Sequence, residues 1–234
     1  MIKAKFLTKI ENIKRPTIIS AIPTIGFSGK VCVDKLIELT NSKLVAQFDI
    51  EKIPIVFVTN GKIENPSVKI YHKKNDKDNI LFITADYQPP EISHPDFSEY
   101  LVKLFKKMDA KQMIVFGEIP QTSKKTREIR IELNNPKKLN TLNEKIPVMG
   151  FNASLVSAAF HNKIPINLVL KEAKPNTVDL RFVKDNIADL SKKLKMKFNL
   201  PKFEKEYAKE IGKIKEISMN EPDILQKDKI GYIG

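Results

Sequence analysis

The loop Pro23-Thr24-Ile25-Gly26-Phe27-Ser28-Gly29-Lys30 lies between a β-branched run, Thr17-Ile18-Ile19-Ser20-Ala21-Ile22, and an apolar segment that opens with Val31-Cys32-Val33. A glycine turn that leads a strand into a helix presents free backbone amides, and the chemistry it could do is anion binding. The spacing departs from known phosphate loops. A nucleotide-binding loop of the Walker type needs four residues between its first glycine and the Gly-Lys pair, then Ser or Thr to hold magnesium. Here only Phe27 and Ser28 intervene after Gly26, and Val31 follows Lys30. The three-glycine dinucleotide spacing is also missing. The loop reads as a structural turn.

The other reactive side chains are scattered. Cys32 sits near a helix start, where a thiol can be activated, but no histidine is adjacent to it and it reads as a small buried residue. His72, His94 and His161 show no metal-ligand spacing. Asp86 and Glu91 flank the loop after the apolar run Ile80-Leu81-Phe82-Ile83-Thr84, and Glu118 follows Met113-Ile114-Val115-Phe116-Gly117. Ligands gather at strand C-terminal ends in open α/β sheets, so Asp86 and Glu118 are candidate bases, with a hydrogen-bonded turn as the ordinary role. Gly150-Phe151-Asn152-Ala153-Ser154 lacks the Gly-x-Ser-x-Gly frame of a nucleophile elbow. No catalytic, cofactor or metal motif emerges, and the expectation is a protein that is not an enzyme.

The elements around these residues alternate. Buried strands are expected at 17–22, 80–84, 113–116 and 164–170, further strands at 44–50 and 55–58, a half-exposed strand at 68–71, an alternating one at 129–133 and an edge strand in residues 1–15. Gly117 is expected to end its strand. Asn60-Gly61 is a hairpin turn signal, because both residues tolerate positive φ. Helices are expected after Gly29, near Asp96 and over 155–160. The alternation predicts an α/β fold, a mainly parallel sheet flanked by helices. Beyond it, Leu180, Val183, Ile187, Leu190 and Leu194 form an amphipathic stripe, with Asn176 as the expected N-cap and Asp179 in the first turn. Phe203, Tyr207, Ile211 and Ile214 form a second stripe after Pro201, giving a C-terminal helical hairpin appendage. The expected organisation is a core domain over 1–175, amphipathic helices over 176–220 packed on the core or a neighbouring subunit, and a flexible tail over 221–234.

The net charge of +13 suggests a nucleic-acid partner, since neutralising phosphates releases counterions. The composition weighs against it. Apart from Arg15, Arg127, Arg130 and Arg181 the positive charge is lysine, tryptophan is absent, and no basic-aromatic signature is present. A solvated lysine surface or a docking face for an acidic partner fits better. One cysteine excludes an internal disulfide. No apolar run approaches the ~20 residues of a membrane helix, and the N-terminus lacks a secretory pattern. A soluble cytoplasmic protein is expected.

Taken in order, several motifs resemble the proteasome assembly chaperone 2 family, and its archaeal-type members in particular. They are Gly26 to Val31 leading to Asp34-Lys35-Leu36-Ile37, then Leu44 to Asp49, Ile53-Pro54, Gly61-Lys62-Ile63 and Pro66 to Tyr71. Thr84-Ala85-Asp86-Tyr87-Gln88-Pro89, Gly150 with its helix, and Ile164-Pro165 complete the set. The resemblance spans roughly residues 15–195. It implies an α/β domain without a catalytic centre or cofactor, acting as a homo-oligomeric chaperone or adaptor in proteasome core-particle assembly, with proteasome α-subunits or the core particle as partner. Some relatives dock through a C-terminal hydrophobic residue, a tyrosine and one final residue. This chain ends Gly231-Tyr232-Ile233-Gly234, which departs from that pattern in having Gly231 and in placing Tyr232 third from the end. The implied partner-binding residues are Tyr232, Ile233 and Gly234, and the implied subunit or partner contacts are Leu190, Leu194, Phe203, Tyr207 and Ile211. Two alternatives stand beside this reading. One is an enzyme on a nucleoside-phosphorylase-like scaffold, using the helix starts after Gly29 and Gly150. The other is a lysine-rich nucleic-acid binder.

Overall fold

Thr17–Ala21 is buried along its whole length and forms the centre of the sheet in the computed structural model. The structure describes residues 2–51, 54–74, 78–122, 126–134 and 145–196, together with Lys205. The chain divides into two units, Met1–Met196 and Lys197–Gly234. The first unit carries the sheet.

In chain order its elements are β1 (Ile2–Phe6), β2 (Thr17–Ala21), α1 (Ser28–Leu39), β3 (Lys43–Ile50), β4 (Phe57–Thr59), β5 (Lys62–Glu64), β6 (Ser67–Lys74) and β7 (Asn79–Ala85). They continue with α2 (His94–Lys107), β8 (Gln112–Pro120), β9 (Glu128–Leu133), α3 (Gly150–His161), β10 (Ile166–Ala173) and α4 (Leu180–Lys193). Eight strands form one sheet in the order β1-β3-β6-β7-β2-β8-β10-β9. The central quartet β7-β2-β8-β10 is parallel. The flanking pairings β1–β3, β3–β6, β6–β7 and β9–β10 are antiparallel.

The sheet is therefore mixed, which corrects the expected mainly parallel one. Parallel pairing of consecutive strands needs a crossover of a dozen or more residues. Of the helices between strands only α2 joins two members of the parallel quartet, β7 to β8, while α1 leads from β2 out to β3 and α3 leads from the edge strand β9 to β10. The short link from Lys74 to Asn79 can only reverse the chain.

Strand alternation sends side chains to two helical layers. Ile18, Leu81, Ile83, Met113 and Val115 join Phe97, Leu101 and Phe105 of α2 and Phe151 and Leu155 of α3 in one core. On the other face α1 packs against β2, β7 and β8, and α4 packs against α1. Phe116 of β8 meets Phe182 of α4 edge-on, with ring centroids 6.0 Å apart. Burial at ~25 cal/mol per Å2 of apolar surface makes these two layers the main source of stability.

Three local expectations need correction. β8 does not end at Gly117 but runs on to Pro120, pairing with β10 throughout. Residues 55–58 do not enter the main sheet; Phe57–Thr59 pairs only with Lys62–Glu64 across the Asn60-Gly61 turn. Asn176 does not cap α4. It adopts φ 56° in the preceding turn, and Asp179 is the N-cap, its carboxylate accepting from the Phe182 amide at 3.1 Å. The stripe of α4 is buried as its spacing requires, at Val183, Ile187 and Leu190. The expected second helix, with Phe203, Tyr207, Ile211 and Ile214, and hence the hairpin appendage and the tail, lie outside the described residues.

Candidate functional site

The C-terminal ends of β2, β7 and β8 bring together the loops that the sequence marks as chemically interesting. At the start of α1 the Gly29 amide donates to Oε1 of Glu118 at 2.6 Å. The Thr24 hydroxyl donates to Oε2 of the same carboxylate, and the Glu118 amide donates back to Thr24 Oγ1 at 3.3 Å. The loop is built as a structural turn, and the helix-start amide that could have held an anion bonds the chain's own Glu118 instead. Burial pushes the Glu118 carboxyl above the ordinary carboxylate range, and the Gly29 and Ser28 amides pull it partly back.

The glycines here serve close approach. A Cβ on Gly26 would lie 2.5 Å from Cβ of Ala173, and one on Gly29 would lie 2.8 Å from Cβ of Phe116. The left-handed residue of the turn is Phe27, at φ 59°. Cys32, one turn into α1, is fully buried, which pushes its thiol far above the usual range.

The second helix start is filled in the same way. The Phe151 amide of α3 donates to Oε1 of Gln88 at 3.2 Å, and Gln88 Nε2 donates to the Pro23 carbonyl at 2.7 Å. Gly150 has φ 73°, and a Cβ there would approach Gln88 Oε1 to 2.6 Å. Gln88 thus ties three loops together. Asn152, in the first turn of α3, donates to the carbonyls of Phe116 at 3.2 Å and Ile22 at 3.4 Å, which joins α3 to β2 and β8.

The remaining polar residues are structural partners. Thr84 donates to Asp34 Oδ1 at 2.6 Å, fastening β7 to α1, and Lys30 forms an ion pair with the same Asp34. Asp86 accepts from the Ser67 amide at 3.2 Å and hydroxyl at 3.1 Å, and pairs with Lys69 at 3.0 Å. Asp179 pairs with the buried Lys171 at 2.8 Å, while its amide donates to Ser28 Oγ at 2.9 Å. Nε2 of the buried His94 bonds the Pro89 carbonyl at 2.7 Å, and His72 bonds Asn79 at 3.0 Å. Among the described residues no group of three His, Cys, Asp or Glu side chains could hold a metal ion, and no helix is long and apolar enough to cross a membrane.

Beside the sealed strand ends lies an open apolar surface. Phe27, Pro54, Ile55, Phe57, Tyr87 and Pro89 line a cleft of about 740 Å3. It is continuous through Phe57 with the β4–β5 hairpin, whose facing residues Val58 and Ile63 are 72% and 74% exposed. Of the expected contact residues, Leu190 and Leu194 are buried within the first unit. Phe203, Tyr207, Ile211, Tyr232, Ile233 and Gly234 lie outside the described residues. Sequence reasoning found the Asn60-Gly61 hairpin turn but missed Thr24, Gln88 and the exposure of the hairpin's apolar residues. Gln88 stood inside the Thr84–Pro89 motif, whose contact with Gly150 is a matter of topology.

A family model for the PAC2 family matches residues 18–217. The chain belongs to the PAC2 family. Among solved structures, this PAC2 family member is similar to Pyrococcus furiosus PbaB, an archaeal proteasome activator, with a TM-score of 0.76 at 14% identity over 93% of this chain and 98% of that one. It is also similar to Pyrococcus furiosus PbaA, an archaeal homologue of proteasome-assembly chaperone, with a TM-score of 0.70 at 16% identity over 93% and 92% of the two chains. A proteasome-assembly chaperone homologue from Mycobacterium tuberculosis aligns with a TM-score of 0.66 at 12% identity, covering 91% and 96%. These likenesses show the fold. No curated protein matches the chain. The motifs that carried the family resemblance, at Gly26–Asp34, Thr84–Gln88 and Gly150, are the ones that knot the strand ends together.

Proposed function

We propose that this PAC2 family member is a non-enzymatic, homo-oligomeric chaperone or adaptor that contacts proteasome α-subunits during core-particle assembly. Family membership carries the reading, and the descriptions of the Pyrococcus furiosus relatives as proteasome activator and assembly-chaperone homologue supply its direction. The site chemistry supports it. Both helix starts suited to an anion are occupied by Glu118 and Gln88, so the phosphate cradle that a phosphorylase-like enzyme would need is taken up by the chain itself.

The apolar β4–β5 hairpin supports protein contact. A two-stranded ribbon whose edges pair with no other strand among the described residues, with apolar residues facing out, is marginal alone and invites pairing. We assign it to a second copy of the chain, because identical ribbons are self-complementary across a two-fold axis. Partner contact is assigned to the C-terminal unit, with Tyr232, Ile233 and Gly234 and the stripe Phe203, Tyr207 and Ile211 as its residues. Static light scattering with and without purified proteasome α-subunits tests the reading. A mass above the monomer that rises further on adding α-subunits supports it; a monomer that ignores them contradicts it.

A further inference from the structure

We infer that a lysine-rimmed cleft at the opposite end of the sheet is a docking site for an acidic polypeptide segment. Where β3 begins, β6 ends and β7 begins, a cleft of about 710 Å3 is rimmed by Lys9, Lys14, Lys43, Lys73, Lys74 and His72. No carboxylate lines it among the described residues. None of the five lysines has a carboxylate partner among the described residues, in contrast to Lys30, Lys69, Lys111 and Lys171, which are all paired.

The walls are held in place rather than left to the side chains. The Leu7 amide donates to the Val45 carbonyl at 2.9 Å, at the bulge between Leu44 and Ala46 in β3. Asn79 Nδ2 donates to the Lys14 carbonyl at 2.8 Å, and its Oδ1 bonds His72 Nε2 at 3.0 Å. A bulge re-aims side chains, and here it helps to gather cations from three segments around one concavity. Like charges repel, so gathering these lysines has a cost that an anionic partner would offset.

The residue types select the partner. The lining contains no arginine fork and no Phe, Tyr or Trp ring, the two features with which proteins grip phosphates and stack bases. Compact ammonium groups with separate flexible stems suit separate carboxylates along an Asp- or Glu-rich strand. The site lies far along the sheet from the helix starts at Gly29 and Gly150, and it does not depend on the proteasome reading.

The test is fluorescence anisotropy of the full chain with a fluorescein-labelled oligo-glutamate peptide, and with an oligo-thymidylate of equal charge. The variant Lys9→Gln/Lys43→Gln/Lys74→Gln is compared with Lys103→Gln/Lys106→Gln/Lys107→Gln, which removes the same charge from the exposed side of α2. The cleft variant should lose at least about tenfold in peptide affinity and the control less than about threefold. In the unmodified protein the peptide should shield Lys9, Lys43 and Lys74 from acetylation while leaving Lys103, Lys106 and Lys107 reactive. Equal loss in both variants, absence of peptide binding, uniform acetylation, or tighter binding of the oligo-thymidylate overturns the proposal.

Discussion

The Gly29 amide and the Glu118 carboxylate, 2.6 Å apart, join the first turn of α1 to the end of β8. A helix start attracts negative charge, and in this molecule the charge is internal. Glu118→Ala should therefore cost stability by leaving the Gly29 amide and the Thr24 hydroxyl without their acceptor, about 2 kcal/mol in chemical denaturation.

The same carboxyl gives a pH signature with a definite sign. Its folded pKa is raised above the ordinary value of 4.5, chiefly by burial. Its contribution is therefore complete below pH 4.5 and is lost as pH rises through the raised folded value. Glu118→Gln keeps an acceptor for Gly29 without the ionisation. Melting temperatures measured across the acidic range should show a flatter profile for this variant than for the unmodified protein, with the difference largest above the folded pKa.

Glu172 should behave in the opposite sense. Its side chain is wholly buried. Burial alone would raise its pKa, but bonds from Arg127 Nη2 at 2.9 Å, Arg127 Nε at 3.1 Å and Thr122 at 3.0 Å outweigh burial and depress it. Its stabilisation is present above pH 4.5 and drains as pH falls through the depressed value. Arg127→Leu strands a buried carboxylate and should cost about 2 to 3 kcal/mol at neutral pH, read by denaturant titration.

Gly26→Ala tests the packing of the family motif. The new Cβ would meet the Cβ of Ala173, an atom with no rotamer to turn away. A loss of about 2 kcal/mol or more is expected, since overpacking a rigid contact moves backbone. Ala173→Gly in the same chain should recover part of it. Thermal melts of the single and double variants measure both.

Much of this was legible in the sequence, for identifiable reasons. The β-branched run Thr17–Ile22, the Asn60-Gly61 turn and the period of α4 each announce themselves through local sterics and patterning. The family motifs were also legible, because their order along the chain is local information. What escaped is non-local. That β6 and β9 run antiparallel to their neighbours follows from which strands end up adjacent. Glu118 looked like an ordinary strand-end carboxylate until the fold brought Gly29 to it across 89 residues of sequence. The loop's glycines marked a turn, but the left-handed position in it is Phe27, and the glycines are needed for their missing side chains. Asp179 took the cap from Asn176 because Lys171 and Ser28 hold it in place.

The exposed ribbon gives a prediction for assembly. Val58→Asp/Ile63→Asp places like charges on directly opposed residues of β4 and β5, which are exposed in the single chain. The melting temperature should move little, because these residues touch no core. The mass by light scattering should fall toward the monomer. An unchanged mass would remove the hairpin from the self-contact.

The most direct measurement of the central claim is light scattering coupled to size exclusion, with the full-length chain run alone and then with purified proteasome α-subunits. A shared peak whose mass equals a complex of the two, weakened by Tyr232→Ala, is the predicted result. Two independent peaks at all concentrations, identical for the unmodified chain and for Tyr232→Ala, would contradict it.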